Sequence, residues 1–136
     1  MEEAINLTDS KKKFAIYHLL FIFVLNKNNM CQSIILSTNG TTTVSYCQHC
    51  GNCYIWHQTF LLTFDAQQYS CFWSVIKEKM GVEEFFRFPD GIARVVLNTP
   101  VREIIFTFTH EEWIDFTKSM NEGFYMRQIH EMIHPN

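Results

Sequence analysis

Glycine and proline are scarce in this chain, and so is charge. Five Gly and three Pro among 136 residues exclude a collagen-like repeat or a linker-rich chain. Charged residues make up only 18%, which excludes a chain held disordered by its own charge. A basic excess is also missing: eleven Lys plus Arg stand against fourteen Asp plus Glu, a net charge of −3. Phosphate affinity scales with the Lys and Arg contacts made, so nucleic acid is not an expected partner. The chain has no Gly-rich phosphate loop, no nucleophile elbow and no paired-carboxylate motif.

What the chain does have is aromatic mass. Thirteen Phe, five Tyr and three Trp, within 47% hydrophobic residues, supply a dense core. A chain of this length forms one domain and buries roughly two thirds of the surface its unfolded form exposes.

The N-terminus imitates a targeting segment. Lys11, Lys12 and Lys13 precede an uncharged apolar run over residues 14 to 25. That run is shorter than the about 20 residues needed to cross a bilayer, and no small-residue cleavage site follows it. Three readings stand: a signal or anchor, a short amphipathic helix packed on the body, or upstream sequence that is not native, with Met30 as the true start. The domain is accordingly expected over residues 30 to 136, with residues 1 to 29 as an apolar extension. Membrane association is expected only if residues 11 to 25 act as a signal or anchor.

From residue 31 onward the pattern is regular. Asn39-Gly40 is a turn signal, and residues 42 to 46 are β-branched and aromatic, predicting a strand. Residues 54 to 57 and 60 to 64 predict a hairpin. Asp65, with Gln68 three positions later, is a capping box opening a helix. Tyr69, Phe72, Trp73, Ile76 and Met80 give that helix one apolar face, and Gly81 ends it. Strands are predicted over residues 85 to 88, 93 to 97 and 103 to 108, with Pro89-Asp90-Gly91 as a turn. Thr109 and Glu112 box a second helix, with Trp113, Phe116 and Met120 on one face and a kink or an interruption expected at Gly123. A shift of 44 residues lays Thr63-Phe64 on Thr107-Phe108, Asp65 on Thr109, Tyr69 on Trp113 and Phe72 on Phe116. The fold expected is therefore α+β: two β-β-α-like halves forming an antiparallel sheet, with two helices packed on one face.

One segment carries chemistry. Cys47-Gln48-His49-Cys50-Gly51 has the two-residue spacer that lets two thiolates face one ion, and a Gly that permits the left-handed turn behind them. Zinc is the metal such a knuckle suggests. A tetrahedral site needs four ligands, and Cys53, Cys31, His49 and His57 compete for the places beyond Cys47 and Cys50. The candidate metal set is Cys47, Cys50, Cys53 and Cys31. Cys53 follows at the same two-residue spacing, but no second C-x-x-C or H-x-x-H pair occurs elsewhere in the chain, so the motif is half a zinc signature. With Cys71 the cysteines number five, an odd and clustered count that fits a reducing, cytoplasmic setting better than a secreted disulfide framework. Cys71, between aromatic helix residues, reads as a small buried hydrophobe. His130 and His134 are spaced to share a helix face, but at a frayed end.

Met30-Cys31, Cys47-Gln48-His49-Cys50, Leu62-Thr63-Phe64, Tyr69 with Phe72, Asn98-Thr99-Pro100, and Phe106-Thr107-Phe108 leading to Glu112 follow one another in a telling order. In this order the chain resembles a family of short bacterial proteins classed as a domain of unknown function, over about residues 30 to 136. The resemblance implies a fold and a cytoplasmic compartment but no mechanism. Cys53 departs from that family's pattern. Residues 1 to 29 fall outside it, which favours Met30 as the start. The function expected is a small noncatalytic binding or regulatory module with a structural zinc at the knuckle, binding a protein partner or a second copy of itself. The alternative is a thiol-redox or metal-dependent enzyme using the same cysteines.

Overall fold

The structure is a computed structural model that describes residues 32 to 135. Cys31 and the apolar run over residues 14 to 25 lie outside the described residues. Seven strands and two helices follow one another as β1 (Ser33–Asn39), β2 (Thr42–Cys47), β3 (Cys53–His57), β4 (Phe60–Phe64), α1 (Ala66–Lys79), β5 (Phe85–Arg87), β6 (Ala93–Asn98), β7 (Ile105–Phe108) and α2 (His110–Ile133). The α+β class, the antiparallel pairing and the two helices are as the sequence predicts. Hydrogen bonding divides the strands into two sheets, ordered β1-β2-β3-β4 and β5-β6-β7, rather than one.

Both capping boxes form. The Asp65 carboxylate accepts from the Gln68 N–H at 2.8 Å, and the Gln68 side chain accepts from the Asp65 N–H at 2.9 Å. Thr109 and Glu112 do the same for α2, at 3.3 and 2.8 Å. Each reciprocal cap satisfies N–H groups that a helix start otherwise leaves without partners, and is worth about 1 kcal/mol.

β2 and β3 are in register as Thr42 opposite His57, Val44 opposite Ile55 and Tyr46 opposite Cys53. Directly opposed residues share a face and neighbours alternate, so these six side chains project to one side of the four-stranded sheet. Helix α2 lies on that side. It does so closely because residue 123 is a glycine: a Cβ there would sit 2.7 Å from the Tyr69 hydroxyl and 2.8 Å from Val44 Cγ1. The expectation that Gly123 interrupts the helix is corrected. α2 runs uninterrupted through Gly123 for 24 residues, and the glycine permits close approach to β2.

Tyr69 and Trp73 of α1, Val95 and Leu97 of β6, Phe108 of β7 and Trp113, Phe116 and Met120 of α2 join Val44, Tyr46 and Ile55 in one buried cluster. Both sheets and both helices thus share a single core, whose aromatic rings meet at Phe108–Phe116 and Phe108–Trp113.

The 44-residue shift holds only locally. It lays β7 on β4 and the start of α2 on the start of α1. It carries Ala93–Asn98 onto residues 49 to 54, whereas the strand there is Cys53–His57. The likeness of the halves is the grammar of strand, cap and amphipathic helix, and it stops at the preceding strand.

Candidate functional site

The knuckle is the connection between β2 and β3. The Cys47 N–H donates to the Asn52 carbonyl at 2.9 Å, and the Cys47 carbonyl accepts from the Gly51 N–H at 2.8 Å. Gly51 takes φ +77, a conformation that costs a side-chain-bearing residue and that glycine adopts freely. The turn so formed aims the Cys50 N–H at Cys47 Sγ, 3.5 Å away.

The ladder sorts the three described cysteines of the motif onto two faces. Cys47 follows Tyr46, so it projects away from α2, on the same side as its ladder partner Ser33 and as Ser45, Tyr54 and Trp56. Cys50 stays with this side: its sulfur lies 3.9 Å from the Tyr54 hydroxyl. The Tyr54 phenol is pushed up to about 12 by burial and then by its bond to Cys50 and by the nearby sulfurs. Cys53 is placed on the helix side, opposite Tyr46. Among the described residues no group of three or more His, Cys, Asp or Glu side chains converges as a metal cage. Cys31, the fourth member of the sequence-predicted set, lies outside the described residues.

Around Cys53 the helix builds a polar cluster. Arg127 Nη1 donates to Cys53 Sγ at 3.7 Å, and Arg127 Nε donates to Glu131 at 3.1 Å. The guanidinium also stacks 5.1 Å from the Tyr46 ring centroid. Burial pushes the Cys53 thiol up to about 11 against the pull of Arg127, so it stays protonated at neutral pH. Of this cluster only Cys53 belongs to the metal set that the sequence predicts. The i, i+4 spacing of Arg127 and Glu131 was the available signal.

The histidines separate as clearly. His57 is buried, with Nδ1 2.7 Å from the Thr42 hydroxyl and its ring within 5.6 Å of those of Phe60, Phe108 and Phe116. Burial lowers its pKa despite Glu112 and Asp115 nearby. It is a core histidine, not a neighbour of the knuckle. His49 is exposed within the turn. His130 meets Gln48 at 3.1 Å, and its ring lies 4.6 Å from that of His134.

A second feature lies at the seam between the sheets. Leu62 and Phe64 of β4, Phe72 of α1, Pro100, and Ile104 and Phe106 around β7 wall an apolar cleft of about 420 Å³. Cys71 stands at its edge and is exposed, a correction to its reading as a buried hydrophobe. An exposed helix position leaves its sulfur at the surface, whatever the aromatic neighbours in sequence. No helix among the described residues is long and apolar enough to cross a membrane. Compared with protein-family models, with curated proteins and with solved structures, the chain matches none.

Proposed function

We propose that this chain is a small noncatalytic binding or regulatory module whose β2–β3 connection is pinned by a structural zinc. The observation that carries the reading is the knuckle itself: a Cys50 N–H aimed at Cys47 Sγ across a turn that Gly51 closes at φ +77. This is the arrangement in which two thiolates can share one ion. Cys53 and His57 are engaged on the opposite face, which leaves Cys31 and His49 to complete four ligands. Cys31 is two residues from Ser33, the ladder partner of Cys47, and two residues span at most about 7 Å. Covalent reach alone therefore keeps Cys31 near the knuckle.

The module's binding surface is the apolar seam cleft, whose volume is that of a ligand-sized or side-chain-sized pocket. A protein partner or a second copy of the chain is the occupant in keeping with the net charge of −3, and nucleic acid is not. The odd and clustered count of five cysteines supports a reducing, cytoplasmic setting. The resemblance to short bacterial proteins supports the same compartment and adds no activity.

The test is metal content of the full chain, purified without a histidine tag under reducing conditions. The reading expects about one zinc per chain and a fall in Tm on chelation. Protein that is folded and free of zinc, with a Tm indifferent to chelator, would remove the knuckle from the account.

A further inference from the structure

We propose that residues 14 to 25 of this same chain dock across the outer face of the four-stranded sheet. The inference stands apart from the zinc reading. It favours one of the three readings of the N-terminal run, the one in which the run packs on the body.

The outer face is the side turned away from α2. Its central residues are almost inaccessible: Cys47 is 0% exposed, Tyr54 6% and Ser45 8%. The Ser33 hydroxyl beside Cys47 is buried and makes no hydrogen bond. Yet no described element lies over these residues, because α1 and α2 both pack on the other side or against the seam. An uncovered sheet face leaves its central side chains open to water. A face so closed to water calls for an apolar cover, and the stretch of chain before Ser33 carries a run that fits one.

Chemistry and reach single out residues 14 to 25. The face they would meet is uncharged along its length, with Ile35, Trp56 and Leu61 at its apolar margin and Ser33, Thr43 and Thr63 between. The run over residues 14 to 25 carries no Asp, Glu, Lys or Arg, and the three lysines are confined to its leading end. Twelve residues wound as a helix measure about 18 Å. Four strands at their usual spacing are about 14 Å across. The eight residue steps from Leu25 to Ser33 extend to at most about 29 Å, so the run can return over the whole face from the edge strand where β1 begins.

The experiment is site-specific photocross-linking in the full chain, with a photoreactive residue in place of Ile35. That side chain is 61% exposed at the margin of the outer face, so the replacement leaves the core untouched. Equal amounts of isotopically light and heavy chain are mixed before illumination, and cross-linked peptides are mapped by mass spectrometry. The proposal expects cross-links to residues 14 to 25 with light joined to light and heavy to heavy. Cross-links between light and heavy chains, or none to that run, would overturn it. A second variant guards against a fortuitous contact. Leu20→Asp in the full chain is expected to speed hydrogen exchange across β2 and β3 by at least about tenfold while α2 keeps its protection. Unchanged exchange in β2 and β3 would also count against the docking.

Discussion

The two faces of the β2–β3 hairpin come from the same two short strands and are built on opposite plans. On the helix side every polar group is spent on structure. The Ser37 hydroxyl donates to the Ser119 carbonyl at 2.7 Å, the Asn39 amide to the Ser119 hydroxyl at 3.0 Å and the Tyr69 hydroxyl to the Met120 carbonyl at 2.7 Å. His57 bonds Thr42, and Cys53 is held by Arg127. On the outer side a buried Ser33 hydroxyl makes no hydrogen bond, and two thiols flank a turn that directs an N–H at sulfur. Buried polar groups are costly unless paired, and the one buried side-chain oxygen left unpaired among the described residues lies on this face. Alternation along a strand therefore separates structural cysteine from candidate ligand where the sequence shows three evenly spaced cysteines.

The contrast can be strained first from the helix side. Ile55→Ala removes a fully buried side chain and is expected to destabilise by about 2–5 kcal/mol, whereas Thr43→Ala, at a half-buried position on the outer face, should stay within about 0.5 kcal/mol. Chemical denaturation of both variants checks this, and equal losses would erase the distinction between the faces. Gly123→Ala comes next. Its Cβ overlaps Tyr69 and Val44, so α2 must lift from β2 at a cost of about 1–3 kcal/mol. A neutral result would mean the helix is not seated as described.

A smaller effect comes from His57. Its pKa is lowered in the folded protein by burial, while in the unfolded chain the ring titrates near 6.5. Above that pH both states are neutral and the group contributes nothing. As pH falls below about 6.5 the unfolded state binds the proton first, so stability drops, by at most about 1.4 kcal/mol per pH unit, until the folded ring protonates. His57→Gln should flatten that part of the wild-type stability curve below about pH 6.5. The smallest effect in free energy is in thiol reactivity. In metal-free protein at pH 8, Cys50 and Cys71 should react quickly with a disulfide reagent, and buried Cys47 and Cys53 only on unfolding.

Much of this architecture is legible along the chain because it rests on local grammar. Asp65 with Gln68 and Thr109 with Glu112 announce both helices, and Tyr69, Trp73, Ile76, Trp113, Phe116 and Met120 announce the faces they bury. β1 escapes detection. Its sequence Ser33–Asn39 lacks strict alternation, because a bulge between Ile35 and Ser37 breaks the register. The turn between β3 and β4 lacks a signature as well: Gln58 adopts φ +50 where an Asn or Gly would be expected, with its side chain bonded to Glu112 at 2.7 Å. The division into two sheets, the close approach at Gly123 and the sorting of cysteines between faces are set by tertiary pairing, which no window of sequence contains. The knuckle spacing was readable. That Cys53 belongs with Arg127 of a helix 74 residues away was not.

The claim that the two faces differ in kind is tested most directly by zinc retention in two single variants of the full chain, Cys50→Ser and Cys53→Ser, measured side by side by elemental mass spectrometry. The account predicts that Cys50→Ser loses the about one zinc per chain held by the wild type and that Cys53→Ser keeps it. Equal loss in both variants, or zinc held through Cys53 and not Cys50, would contradict it.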